Sequence, residues 1–197
     1  MMIIYRLFIF IALCLMVDMA VAEDVLQQIQ NQLSQAKIAS GQFQQEKQLK
    51  FLKKPLISSG DFTYQHKVGL VWKTNSPFTS TLLLSETRLI SNQIEREIPI
   101  GFGRIFASVL GGDIQQLDQD FVINSQLKNH TWDLTLNPKN QALSKAIVML
   151  KLTGDSELRL LEIHEVNGNV ARIQFDKITH PTELSPQQVT DFEQLLP

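Results

Sequence analysis

From Gly41 onward, apolar and polar residues alternate with period two in one short stretch after another. Phe43 and Gln45 begin the series, followed by residues 60–64, 69–73, 79–84, 121–123, 131–136, 146–152, 158–166 and 170–175. A strand sends successive side chains to opposite faces, so this pattern demands a sheet with one apolar face. The breaks between stretches are short and rich in turn formers: Pro55, Ser58-Ser59-Gly60, His66-Lys67 and Asn75-Ser76-Pro77. An antiparallel meander follows from such spacing. Asn167-Gly168 is the strongest hairpin signal in the chain.

Three segments carry helical spacing instead. Leu26, Ile29, Leu33 and Ala36 recur at intervals of three and four behind Asp24, which predicts a capped helix over residues 25–38 closed by Gly41. Phe102, Ile105, Phe106, Val109 and Leu110 fall on one face of a short helix stopped by Gly111-Gly112. Bracketed by strands, that greasy helix reads as a plug or lid on a sheet. Ser185-Pro186 opens a last helix carrying Val189, Phe192 and Leu195, with serine as cap and proline at the first position.

The first 22 residues have the build of a cleavable secretory signal. Arg6 precedes an apolar run from Leu7 to Val17, and Ala20-Val21-Ala22 supplies small residues for cleavage after Ala22. The run is about half the roughly 20 residues a spanning helix needs. Leu13 stands before Cys14 where a lipid-modified cysteine calls for a small residue. Residues 23–197 then form one domain, placed outside the cytoplasm. Its 175 residues hold 17 basic and 19 acidic side chains, a net charge of −2 with no long run of either sign, which argues against nucleic acid as a partner. Cys14 is the only cysteine, so this domain has no disulfide and no thiol chemistry.

The residues for catalysis do not assemble into a pattern. His66, His130, His164 and His180 are scattered without metal-ligand spacing, so no metal is expected. No Gly-x-Ser-x-Gly elbow occurs, and Gly101-Phe102-Gly103 runs on to Phe106 where a dinucleotide loop needs glycine. Asp118 and Asp120 lack the glycine and glutamate of a calcium loop. The expectation is a protein without cofactor that is not an enzyme.

Several elements recur in one order: Phe43-x-Gln45, Pro55-Leu56 before Ser59-Gly60-x-Phe62, Gly69-Leu-Val-Trp72, and Ser76-Pro77. Further along come the apolar helix before Gly111-Gly112-Asp113, Trp132-x-Leu134-x-Leu136-x-Pro138, the Gly154-Asp155 turn and Asn167-Gly168. This ordered set resembles the divergent branch of the periplasmic outer-membrane lipoprotein carrier family, LolA-like, over nearly the whole domain. The resemblance implies a mainly β fold, an unclosed antiparallel half-barrel of about 11 strands with helices forming a lid over an apolar cavity. It also implies a monomeric carrier of acylated lipoproteins or other lipids, loaded by an inner-membrane donor and unloaded to an outer-membrane acceptor. The alternative is a lipid-sensing or adaptor domain reporting the state of the envelope.

On this reading the cavity is lined by Leu70, Trp72, Leu82, Leu84, Trp132, Leu134, Leu136, Ile147 and Met149, and the lid by Phe102, Phe106, Val109 and Leu110. One departure stands out. The best-known carriers place an Arg-Pro pair, implicated in holding the lid shut, where this chain has His66-Lys67. Neither side chain offers the planar multi-donor fork of arginine, so the latch at this position is altered or absent.

Overall fold

The computed structural model describes residues 25–91, 94–97 and 102–195, without the side chains of residues 96, 97 and 102. The expected signal at 1–22 and the Asp24 cap lie outside the described residues. Eleven strands form one antiparallel sheet in the order β6-β5-β4-β3-β2-β1-β11-β10-β9-β8-β7. The first group is β1 (Ile38–Gln48), β2 (Leu56–Gln65), β3 (Gly69–Ser76), β4 (Ser80–Leu84), β5 (Arg88–Ser91) and β6 (Ile94–Glu97). The second is β7 (Phe121–Lys128), β8 (Thr131–Pro138), β9 (Ile147–Gly154), β10 (Leu158–Glu165) and β11 (Val170–Thr179).

Each group is a meander, and the two meet where β1 pairs with β11 in the middle of the sheet. The edges are therefore β6 and β7, consecutive in sequence and farthest apart in the sheet. On a flat sheet β4 and β8 would lie about 34 Å apart at roughly 4.8 Å per strand. Yet Leu84 of β4 and Leu136 of β8 belong to a single hydrophobic core. The sheet is curled into an unclosed barrel, and the chain must cross its open side to get from β6 to β7. That crossing carries α2 (Phe102–Leu110) and a 3-10 helix (Ile114–Gln119).

Helix α1 covers residues 25–32 and is shorter than the spacing predicts. Ile38 and Ala39 open β1 instead, and Gly41 lies inside that strand. The pairing of β1 with β11 shifts register between Ser40 and Gln42. A Cβ on Gly41 would meet the Phe62 ring at 2.8 Å and the Asp176 carbonyl at 2.9 Å, so the glycine serves a close approach within the sheet. β5 and β6 carry no clear alternation and are four residues each, which hides them in the sequence. A one-turn helix, α3 (Gln141–Ser144), joins β8 to β9 and is capped by Asn140.

Helix α4 (Pro186–Glu193) is capped as the sequence predicts. The Ser185 side chain accepts from the Gln188 amide, and the Ser185 amide donates in turn to the Gln188 side-chain oxygen. It packs on the convex face, where Phe192 and Leu195 bury Val71 and Leu83.

Candidate functional site

The concave face is built from alternate residues of the curled sheet. On β3 and β4, Leu70 faces Leu84 and Trp72 faces Leu82 across the ladder, and all four contribute to the inner core. Val71 and Leu83 between them point outward to α4. On the other wall Trp132, Leu134 and Leu136 are fully buried, with Leu134 opposite Leu152 and Leu136 opposite Leu150. The indole N–H of Trp132 donates to the Asp155 carbonyl at 2.5 Å, which fixes the ring.

Ile147 is buried in the same core, but Met149 is a correction. The β9–β10 register shifts between Ile147 and Met149, so the inward phase runs through Leu150 and Leu152 and leaves Met149 outside the core cluster. A bulge of this kind moves every later side chain to the other face.

The open side is filled by α2, whose Ile105, Phe106, Val109 and Leu110 are buried against the concave face. Phe102 begins the helix, and its side chain is not among those described. Contact between lid and sheet centres on an aromatic cluster that the alternation did not single out. Trp72 stacks on Phe43 at 3.7 Å between centroids and meets Phe175 edge-on at 6.1 Å. Phe106 approaches Trp72 edge-on at 6.2 Å. Phe43 and Phe175 face each other across the central β1–β11 pair. The signal that places them is this pairing of the first and last strands, which no local pattern reveals.

Polar contacts hold the crossing segment in place. Arg104 of α2 forms an ion pair with Asp120, the residue before β7, and the side chains are only 17 % and 9 % exposed. Gln30 of α1 donates to the Gly112 carbonyl and accepts from the Ile114 amide, imitating a backbone partner for the bend between α2 and the 3-10 helix. Gly112 takes a φ of +74° there, and a Cβ would lie 2.4 Å from the Ser34 carbonyl. Ser108 is the opposite case: its hydroxyl, on α2 itself, is buried with no hydrogen-bond partner among the described residues.

A cavity of about 440 Å³ lies where α2 meets the β2–β3 turn and residues 85–87. Leu70, Leu84 and Phe106 contribute apolar lining, with Tyr64, Glu86 and Asp113 among the polar groups. Burial, then the nearby carboxylates of Glu86 and Asp113, push the Tyr64 phenol up to about 12, so it stays protonated and able to donate. His66 and Lys67 occupy the same rim. His66 Nδ1 lies 3.4 Å from the Tyr64 hydroxyl, while no hydrogen bond joins either residue to α2 among the described residues. The same residues contain no cluster of three or more histidines, cysteines or carboxylates arranged to hold a metal.

The family model for "Outer membrane lipoprotein carrier protein LolA-like" matches residues 18–179. No curated protein matches the sequence. Among solved structures, similarity extends to a LolA superfamily protein from Nitrosomonas europaea, at 9 % identity and a TM-score of 0.47, covering 85 % of this chain and 96 % of that one. A putative outer membrane lipoprotein-sorting protein domain from Vibrio parahaemolyticus gives 8 % identity and a TM-score of 0.48, with coverage of 87 % and 95 %. The Pseudomonas aeruginosa MucA/MucB complex gives 12 % identity and a TM-score of 0.46, with coverage of 85 % and 60 %. With a family match along most of its length and a curled sheet plugged by an apolar helix, this chain belongs to the LolA-like family of lipid- and lipoprotein-binding domains.

Proposed function

We propose that the protein is a periplasmic carrier that shelters the acyl chains of lipoproteins or related amphiphilic lipids and moves them toward the outer membrane. The observation that carries this reading is the apolar stripe of α2, buried on the concave face with Phe106 against Trp72. Such a stripe is exchangeable for other hydrocarbon. Two or three acyl chains would cost on the order of 20 to 30 kcal/mol to expose to water at about 0.8 kcal/mol per methylene. Exposing the four buried lid side chains costs roughly 6 to 12 kcal/mol at about 1.5 to 3 each. Trading lid for cargo is thus favourable, and the lid in turn helps expel the cargo at its destination.

The Arg104–Asp120 pair takes the place of the family latch in this scheme. It ties the lid to β7 instead of to the β2–β3 turn. Mass spectrometry of organic-soluble material retained by protein isolated gently from its own host tests the reading. Acylated polypeptides are the expected result. Non-protein lipids alone would shift the protein to lipid shuttling or sensing, and an empty protein that also ignores fluorescent fatty-acid analogues would end the carrier hypothesis.

A further inference from the structure

An antiparallel meander puts alternate turns at opposite ends of the barrel. One end holds the 440 Å³ cavity, the β2–β3 turn and the β9–β10 turn. The other holds the β1–β2, β3–β4 and β10–β11 turns and the starts of β7 and β9. Nine large hydrophobic side chains are exposed among the described residues, and eight of them sit at this second end; only Val189 on α4 does not. Phe51 at the β1–β2 turn is 80 % exposed and Phe78 at the β3–β4 turn is 82 % exposed, with Leu56 and Ile57 at the start of β2 and Val166 in the β10–β11 turn at the same end. Apolar exposure segregated to one pole of a folded domain marks a contact surface.

The charge at that pole names the partner. Phe51 lies in Lys50-Phe51-Leu52-Lys53-Lys54, and all three lysines are exposed without an acidic partner among the described residues. The nearest acidic side chain in the β10–β11 turn, Glu165, is already held by Lys47. The turn itself is braced, since the Lys50 amide donates to the Asn169 side chain and Gln48 donates to the Leu52 carbonyl. An exposed phenylalanine flanked in its turn by three free lysines suits a surface that is both oily and anionic.

We infer that this pole docks on an anionic phospholipid bilayer, with Phe51 entering the headgroup boundary and Lys50, Lys53 and Lys54 on the lipid phosphates. Aromatic side chains partition into that boundary, and each lysine near an anionic surface contributes roughly a fivefold factor in affinity. The docking end is opposite the cavity beside the lid, so the cargo site stays clear of the membrane plane while the protein is bound. The inference goes beyond the carrier reading and holds for whatever lipid occupies the core.

Co-sedimentation of the purified protein with phosphatidylcholine vesicles, with and without phosphatidylglycerol, tests it. Binding is expected on the anionic vesicles, weakening as salt rises. Replacing the lysines together, Lys50→Gln, Lys53→Gln and Lys54→Gln, should weaken it about 100-fold. Phe51→Ser should weaken it further without altering the thermal melt, and Lys128→Gln at the opposite end should leave it unchanged. Equal partition onto neutral and anionic vesicles, or undiminished binding by both the lysine and Phe51 variants, would overturn the inference.

Discussion

The two walls of the half-barrel are built from the same alternation and finished differently. On the β8–β9 wall Trp132, Leu136, Leu150 and Leu152 have no exposed surface, and the indole is pinned by a hydrogen bond. On the β3–β5 wall Trp72, Leu82 and Leu89 are only partly buried, and at the end of the same wall Leu70 and Leu84 line a cavity beside α2. One wall is a core in the ordinary sense. The other is a core left unfinished, and the lid meets the sheet at its central aromatic, Trp72. A protein that must admit hydrocarbon needs both: a rigid side to define the trough and a loosely closed side to open.

This contrast can be broken at its strong side first. Trp132→Ala should cost about 4 kcal/mol of stability, as expected for emptying a closed aromatic site, whereas Trp72→Ala should cost less and instead impair acyl binding; urea unfolding paired with fluorescent fatty-acid titration separates the two. Next in size is Phe106→Ala, expected to lower stability by about 3 kcal/mol and to speed uptake of the fatty-acid probe in stopped flow, since the lid loses its contact with Trp72. Asp120→Asn leaves Arg104 with little water and no counter-charge, a loss of about 2 kcal/mol that falls short of a fully buried pair because some access remains; hydrogen exchange should localise the loosening to α2.

Ser108→Ala works in the opposite direction. Removing an unpartnered buried hydroxyl should stabilise the closed form by about 1 kcal/mol and slow cargo exchange, and a higher melting temperature with unchanged uptake would contradict a role for Ser108 in lid opening. The smallest effect belongs to the surface of β10, next to the rigid wall. The hydrogen bond from Arg172, acting against partial burial and aided by the charge of Arg172 and by His164, holds the Glu162 carboxyl below its usual value. Its folded pKa being depressed, Glu162 contributes stability above pH 4.5 that is lost as the pH falls through the lower folded value. Glu162→Gln should flatten the acid limb of the stability profile slightly and leave neutral pH almost untouched.

Much of this architecture is legible in single strands. The inward phase of Leu70, Trp72, Leu82 and Leu84 follows from period two, and so does the phase of Trp132, Leu134 and Leu136, because each strand has one buried face and no irregularity over those residues. Met149 fails because a bulge leaves no local mark in an apolar run. The span of α1 fails because its apolar spacing runs on through Leu33 and Ala36 into an irregular stretch before β1, and Gly41 serves as well in a tight strand as at a helix end. Phe43 and Phe175 join Trp72 through the pairing of the first strand with the last, a long-range event. Arg104 and Asp120 are 16 positions apart, separated by the rest of α2, a bend and the 3-10 helix, so no single periodicity speaks for their meeting.

The crossing from β6 to β7 is covalent at both ends. A lid of this kind never diffuses away when hydrocarbon displaces it; it remains an intramolecular competitor present at high effective concentration beside the trough. On the proposed carrier reading, cargo would bind against a constant opposing reagent that no dilution in the surrounding fluid can weaken. Shortening or lengthening the segment around α2 would reset that concentration, and with it the affinity for every cargo alike, without touching a single residue of the trough.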